Sequence, residues 1–288
     1  MTFGLFPSPS NNRALGLPGQ RANSLIIFFF CLALIAGILT WAWQMDPKGL
    51  GPQLSLRNLS PCPAHPFGTD WLGRDMLTRT LKGLCISLGI GMSAALFSSF
   101  IAVFLGTAAG VMGKTADRIV TSAIDVIMST PHLVLLILIS FSAGGGAKGV
   151  IISISLTHWT RLARVIRAEI LQLRCAEYIR ISPRLGRSKP WIICHHMLPA
   201  IVPQFLVGLL LTFPHAILHA AGLTFLGFGL PPHTPAIGVL LTEAMRHLST
   251  GRWWLAVAPG FSLVAMVLLF DLMGSLLKVL TQPKTGQD

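Results

Sequence analysis

The chain has 288 residues, of which 52% are hydrophobic and 11% charged, with a mean hydropathy of +0.68. A soluble domain carries about a quarter charged residues, so these proportions exclude a disordered chain and speak against an ordinary water-soluble enzyme. The 22 Lys and Arg against 10 Asp and Glu leave a net +12, an excess that a nucleic acid, an anionic membrane face or an acidic partner would neutralise.

Residues 1–24 are polar, carry Arg13 and Arg21, and read as a cytoplasmic N-terminal segment. The apolar run Leu25–Trp43 is 19 residues long. That exceeds the roughly 7–15 residues of a signal-peptide core, so it reads as an uncleaved first span. An outer loop over 44–83 follows. Five more apolar segments, Leu84–Met112, Ile119–Ser142, Gly149–Val165, Ile201–Gly222 and Leu255–Leu280, make a core over 84–281, with 282–288 as a cytoplasmic tail. Each is long enough to cross about 30 Å of hydrocarbon as a helix, the fourth only just. Helix is the required form, because backbone groups in lipid must bond within their own segment. The expectation is an all-α polytopic membrane protein of about six spans. With both termini inside, the inner segments hold fourteen Lys and Arg and the outer ones eight, as the positive-inside bias requires.

Within that frame, Asp70–Arg74 and Asp75–Arg79 are i,i+4 pairs of opposite sign, which predicts a self-paired helix at the outer surface, capped by Thr69 or Asp70. Pro131 should kink the third span, which also carries Asp125 and His132. Arg161, Arg164 and Arg167 recur every three residues and form a stripe continuing span four. A stop against anionic lipid headgroups accounts for them. It does not account for the loop beyond, because a connecting turn would be shorter. His215 and His219 are i,i+4 in span five and share a face, and His158 lies in span four. Two readings stay open for them: buried polar groups bonding across helices, or contacts on a transport pathway.

The five cysteines are odd in number and form no Cys-x-x-Cys pair, which supports neither a disulfide framework nor a cysteine zinc site. No His-Glu-x-x-His occurs, against an intramembrane metalloenzyme, and no soluble domain or stacking platform occurs, against nucleic-acid binding. No Gly-x-x-x-x-Gly-Lys-Ser/Thr occurs, so this chain does not hydrolyse ATP by that route.

Four ordered stretches carry a resemblance. In the loop over 166–199, Gly186, Leu198 and Pro199 fall where the coupling segment of ABC importer permeases has Gly and Ile-x-Leu-Pro. The family's Glu-Ala-Ala is replaced by Arg180, Ile181 and Ser182, and Pro183 is added. The stretch from His65 to Leu88, with Gly68, Thr69, Asp70, Gly73, Arg74, Asp75 and Arg79, is similar to a motif of the peptide/nickel branch. So are Ala221–Leu241, with Leu223, Phe225, Leu226, Gly227 and Gly229, and Trp253–Leu277, with its Trp-Trp and Pro-Gly.

The resemblance implies a type I ABC importer permease fold in a bacterial inner membrane, with no cofactor bound by this chain. It implies a second homologous permease chain, two ATP-binding subunits that use ATP and Mg, and an extracytoplasmic solute-binding protein. Glu177, Tyr178, Arg184, Leu185 and Gly186 would couple to the ATPase. His195 and His196, in the same loop, read as structural. Peptide-type permeases carry Glu where this chain has Ala220, whereas Pro214–Gly222, with His215 and His219, resembles the nickel type. The resemblance therefore favours nickel or a small metal chelate over peptides, with His215 and His219 as transient ligands and His158 on the pathway.

Overall fold

The computed structural model describes residues 18–281, and no strand occurs among them. The expectations for residues 1–17 and for the tail 282–288 lie outside the described residues. Ten helices follow in order: α1 (Pro18–Gln44), α2 (Met76–Val111), α3 (Lys114–Ser129), α4 (His132–Ser142), α5 (Gly146–Leu173), α6 (Glu177–Ile181), α7 (Lys189–Ile192), α8 (Leu198–Phe225), α9 (Ile237–Met245) and α10 (Trp254–Thr281).

Among the described residues, four helical runs are long and apolar enough to cross a membrane: Arg21–Gln44, Met76–Val111, Lys189–Phe225 and Trp254–Thr281. The pair α3 and α4 is a fifth candidate, bent by 103°. The break falls at Thr130–Pro131, where the sequence places the kink. The expected fourth span is α5. Its 28 residues reach about 42 Å, but Thr157, His158, Arg161, Arg164 and Arg167 leave it too polar to pass as a lipid-facing helix. Its position explains that composition. Helix α5 lies against α2, α4 and α8, with Ile154, Ile166, Ala163 and Ile170 fully buried.

Small residues allow that close packing. A Cβ at Gly110 of α2 would stand 2.4 Å from Cγ2 of Ile170, and one at Gly208 of α8 would stand 2.3 Å from Leu162. Glycines at such contacts let helix backbones approach, the usual source of van der Waals gain between helices in lipid. Polar ties add to it. Arg164 Nη2 donates to Asp125 at 2.8 Å, Arg167 pairs with Asp117 through both its Nε and its Nη2, and Arg174 Nη1 donates to the Gly110 carbonyl at 2.7 Å. Two arginines of the stripe expected to face lipid headgroups thus hold α3 against α5 instead.

The outer loop corrects a second expectation. Residues 69–75 are not helical, and α2 begins only at Met76, where the Asp75 carboxylate accepts from the Thr78 amide as the cap. Asp70 is fully buried. It accepts from Arg74 Nε at 2.6 Å, Arg79 Nη1 at 2.7 Å, and the amides of Leu72 and Arg74. Arg79 Nη2 continues to Glu243 of α9 at 2.8 Å. The i,i+4 spacing of Asp70 and Arg74 therefore reports a tight loop around one carboxylate. The pattern is the same as in a helix because both bring residues four apart together. Trp254 Nε1 donates to the Thr69 carbonyl and ties α10 to the same loop.

Removing Arg79 takes a guanidinium from two carboxylates at once and leaves Asp70 and Glu243 to share Arg74. Arg79→Met is expected to cost about 3–5 kcal/mol, the usual penalty for breaking a buried ion pair from one side, read as a lowered Tm in detergent. An unchanged Tm would contradict the clamp.

Candidate functional site

Three imidazoles converge from three helices. His132 opens α4 directly after the Pro131 break, His158 lies mid-way along α5, and His219 lies on the last turns of α8. Their ring centroids are 4.8–5.0 Å apart, with each pair edge to face. One ligand nitrogen from each lies within 4.8 Å of the others. All three rings are half-buried.

Hydrogen bonds orient two of the rings. The Nδ1 of His219 lies 2.7 Å from the His215 carbonyl, which can only accept, so Nδ1 carries the proton. The Thr157 hydroxyl donates back to the Ser153 carbonyl at 2.9 Å, leaving its oxygen to accept from Nδ1 of His158 at 3.0 Å. Both neutral rings therefore present an Nε2 lone pair, and the backbone and hydroxyl partners hold their orientation. Imidazole donors without carboxylate or thiolate suit nickel, copper, zinc and similar ions.

The triad lines a cavity of about 570 Å³ whose walls include Met128, Thr130, Thr160, Arg161, Leu211, Thr212 and His215. The i,i+4 pair of the sequence reading is thus only half of the cluster. His215 lies on the cavity wall, exposed, with its Nδ1 bonded to the Leu211 carbonyl at 3.1 Å, and it stands outside the three-nitrogen group. His132 completes the three-nitrogen group with His158 and His219. Sequence reasoning did not assign His132 a role, although the preceding Pro131 was a usable signal: a break there starts a new helix at His132 and turns it out of line with α3.

The segment expected to couple to the ATPase lies apart from this cavity. Glu177 and Tyr178 start α6, Pro183 sits in a 3-10 turn over Ser182–Leu185, and Gly186 ends that turn with φ +77°. A side chain disfavours that left-handed conformation. Ile179, Ser182 and Ile192 are buried and anchor the segment, whereas Glu177, Tyr178, Arg184, Leu185 and Gly186 all face outward. Leu185 is 75% exposed between arginines, so the chain's own fold does not account for its apolar surface. His195 stacks on Trp191, and His196 meets Tyr178 and Trp191 edge-on, which keeps both away from the cavity.

Residues 98–280 match the family described as binding-protein-dependent transport system inner membrane component. The chain belongs to this family of ABC importer permeases. It is 33% identical over 90% of its length to the dipeptide transport system permease protein DppC of Bacillus subtilis, covering 80% of that protein. It is 32% identical over 88% of its length to the nickel transport system permease protein NikC of Escherichia coli, covering 90% of it. A crystal structure of an amino acid ABC transporter with histidines shares the fold, with a TM-score of 0.52 at 18% identity over 69% of this chain and 92% of that one. The protein is accordingly a multi-pass membrane permease of the peptide/nickel type. It is not an enzyme, and ATP is hydrolysed by separate subunits.

The convergence of α4 and α8 is open to a direct check. Cysteines placed by His132→Cys and His219→Cys are expected to join through a short bifunctional thiol reagent, whereas His195→Cys with His219→Cys should not. Failure of the first pair to cross-link would contradict the bend that brings His132 to the cavity.

Proposed function

We propose that this permease carries a transition-metal ion, nickel above all, or a small metal chelate, across the bacterial inner membrane. The observation that carries the reading is the group formed by His132, His158 and His219, with one nitrogen from each within 4.8 Å of the others. Three neutral nitrogens without an anionic ligand favour binding weak enough to release, which transport requires. His215, on the same wall, would be a secondary contact.

The rest of the mechanism rests on the family and on the exposed segment. A solute-binding protein delivers cargo at the outer face, and a second homologous permease chain completes the pathway. Two ATP-binding subunits, using ATP and Mg, dock on Glu177, Tyr178, Arg184, Leu185 and Gly186. This chain itself binds no cofactor. Both termini and the coupling segment lie on the cytoplasmic side, in keeping with the fourteen-to-eight distribution of Lys and Arg. A peptide cargo is the second reading. The relatives named for dipeptide transport and the cavity volume of about 570 Å³ favour it.

Uptake of radiolabelled nickel and of a labelled dipeptide by the assembled transporter separates the two. His132→Ala, His158→Ala and His219→Ala should each lower nickel uptake about tenfold or more, as loss of one ligand or a partner that orients it commonly does, and His215→Ala should lower it less. Dipeptide uptake without nickel uptake would overturn the metal reading. In the coupling segment, Gly186→Trp should abolish uptake while leaving the protein inserted. The milder Gly186→Ala meets no atom within 4 Å of its Cβ and should cost only the about 1–2 kcal/mol of the left-handed backbone. Normal uptake by Gly186→Trp would overturn the coupling assignment.

A further inference from the structure

A second cavity, of about 470 Å³, opens at the far end of α8. That helix starts at Leu198, beside the segment proposed for ATPase docking, and its 28 residues carry it about 42 Å to Phe225. The cavity wall is built from the connections beyond. Trp71 comes from the loop before α2, Gly227 and Leu230 from the turn after α8, and Arg246 and His247 from the turn after α9. Trp71 is the centre of the group. His247 stacks on it with ring centroids 4.7 Å apart, the Arg74 guanidinium lies 5.1 Å over its ring, and Arg57 Nε donates to its carbonyl at 2.7 Å.

The charges around this ring do not balance. Arg74 and Arg79 are matched by Asp70 and Glu243. Arg57, Arg246 and Arg252 have no carboxylate partner among the described residues. Arg252 Nη1 reaches His247 Nδ1 at 3.5 Å, and the Arg246 side chain makes no hydrogen bond there. Arg57 and Arg246 are exposed, so water screens both and the chain's own fold gains little from either. An aromatic anchor ringed by arginines has the composition of a protein contact surface. Unmatched cations at its rim call for an acidic partner, because opposite charges steer association and fix register. The family is dependent on a binding protein, so a second protein does meet chains of this kind.

We propose that this cavity receives an acidic side chain of the solute-binding protein, whose carboxylate pairs with Arg246 while the surface around it covers Trp71. Glu243, on the same wall, accepts from Arg79 of α2 at 2.8 Å, and the Thr242 hydroxyl lies 3.2 Å from the Phe225 carbonyl at the end of α8. A load placed on α9 at this point therefore bears on both helices. The proposal rests on delivery at the outer face by a binding protein, and is independent of which cargo is delivered.

The test is surface plasmon resonance of the assembled permease–ATPase complex, held in nanodiscs of phosphatidylcholine, with the solute-binding protein that supports its uptake. Arg246→Glu is expected to lower the association rate about tenfold at low salt and to flatten its dependence on added salt, the signature of a charge at a contact rim. Arg246→Lys keeps the charge and should stay within about twofold of the parent. Lys148→Glu makes the same charge change on an exposed residue near the start of α5, outside the cavity, and should cost no more than about twofold. Trp71→Ala should instead speed dissociation about tenfold, as loss of an aromatic anchor does, and Trp71→Phe should keep most of the affinity. Unchanged association and salt dependence in Arg246→Glu overturn the proposal. So do equal losses in Arg246→Glu and Lys148→Glu, which would mark a general field and not this site. Anionic lipid retained by the parent complex and lost from Arg246→Glu, with association of the binding protein unchanged, would assign the cavity to a lipid headgroup and overturn it as well. Failure of the parent complex to bind that protein overturns delivery at the outer face itself, an outcome distinct from any effect confined to the variants.

Discussion

The close approach of α2 and α8 to α5 governs the rest of the molecule. Gly110 and Gly208 leave room where a side chain would collide with Ile170 and Leu162. Helix α5 is thereby held among other helices, not in lipid. That position permits a membrane-depth helix to carry His158 and three arginines, residues that hydrocarbon would exclude. Once there, Arg164 and Arg167 draw the two carboxylates of α3 toward them, and α3 is fixed to α5 along its length.

The position of α3 makes the break after it consequential. A helix interrupted at membrane depth frees backbone groups, which is tolerated only against protein or a wet cavity. The Thr130–Pro131 break meets that condition, because Thr130 and His132 line the cavity. The 103° bend turns α4 out of the line of α3 and brings His132 to His158 and His219. Three imidazoles from three helices make a cluster that depends on how those helices are arranged. Relative movement of α4, α5 and α8 would separate the nitrogens. A permease needs a site of this kind, since cargo must be held in one state and released in another.

Much of this was legible in the sequence, and the failures have physical causes. Apolar blocks coincide with the four helices long and apolar enough to cross a membrane and with the bent α3–α4 pair, because the bilayer sets their length. Pro131 announced the kink because it lacks an amide hydrogen. The sequence also placed His215 and His219 on one face, yet helical spacing within α8 says nothing of what other helices bring. His132 therefore went unassigned, although it stands with His158 and His219, and His215 stands outside that group. The outer loop misled for a related reason: Asp70, Arg74, Asp75 and Arg79 have helical spacing, but in the fold Asp70 is the centre of a buried cluster reaching Glu243 across the chain. Contacts between residues so distant in sequence leave no local pattern. The stripe of arginines was visible, whereas its division into two residues paired with α3 and one with no partner among the described residues was not.

The surface proposed for ATPase docking and the histidine cluster lie at separate places on this chain. The segment from Glu177 to Gly186 presents an exposed, arginine-rich surface anchored by Ile179 and Ser182, and it leads through α7 into α8, the helix that carries His219. One continuous helical run from Lys189 to Phe225 thus joins the surface proposed for ATPase docking to the histidine cluster. The most direct test of the account is X-ray absorption spectroscopy of the nickel-loaded permease complex. The account predicts three imidazole nitrogens on the metal at about 2.0–2.1 Å, the range of metal–histidine bonds, with one lost in His158→Ala. A nickel environment of oxygen donors alone, unchanged in that variant, would contradict it.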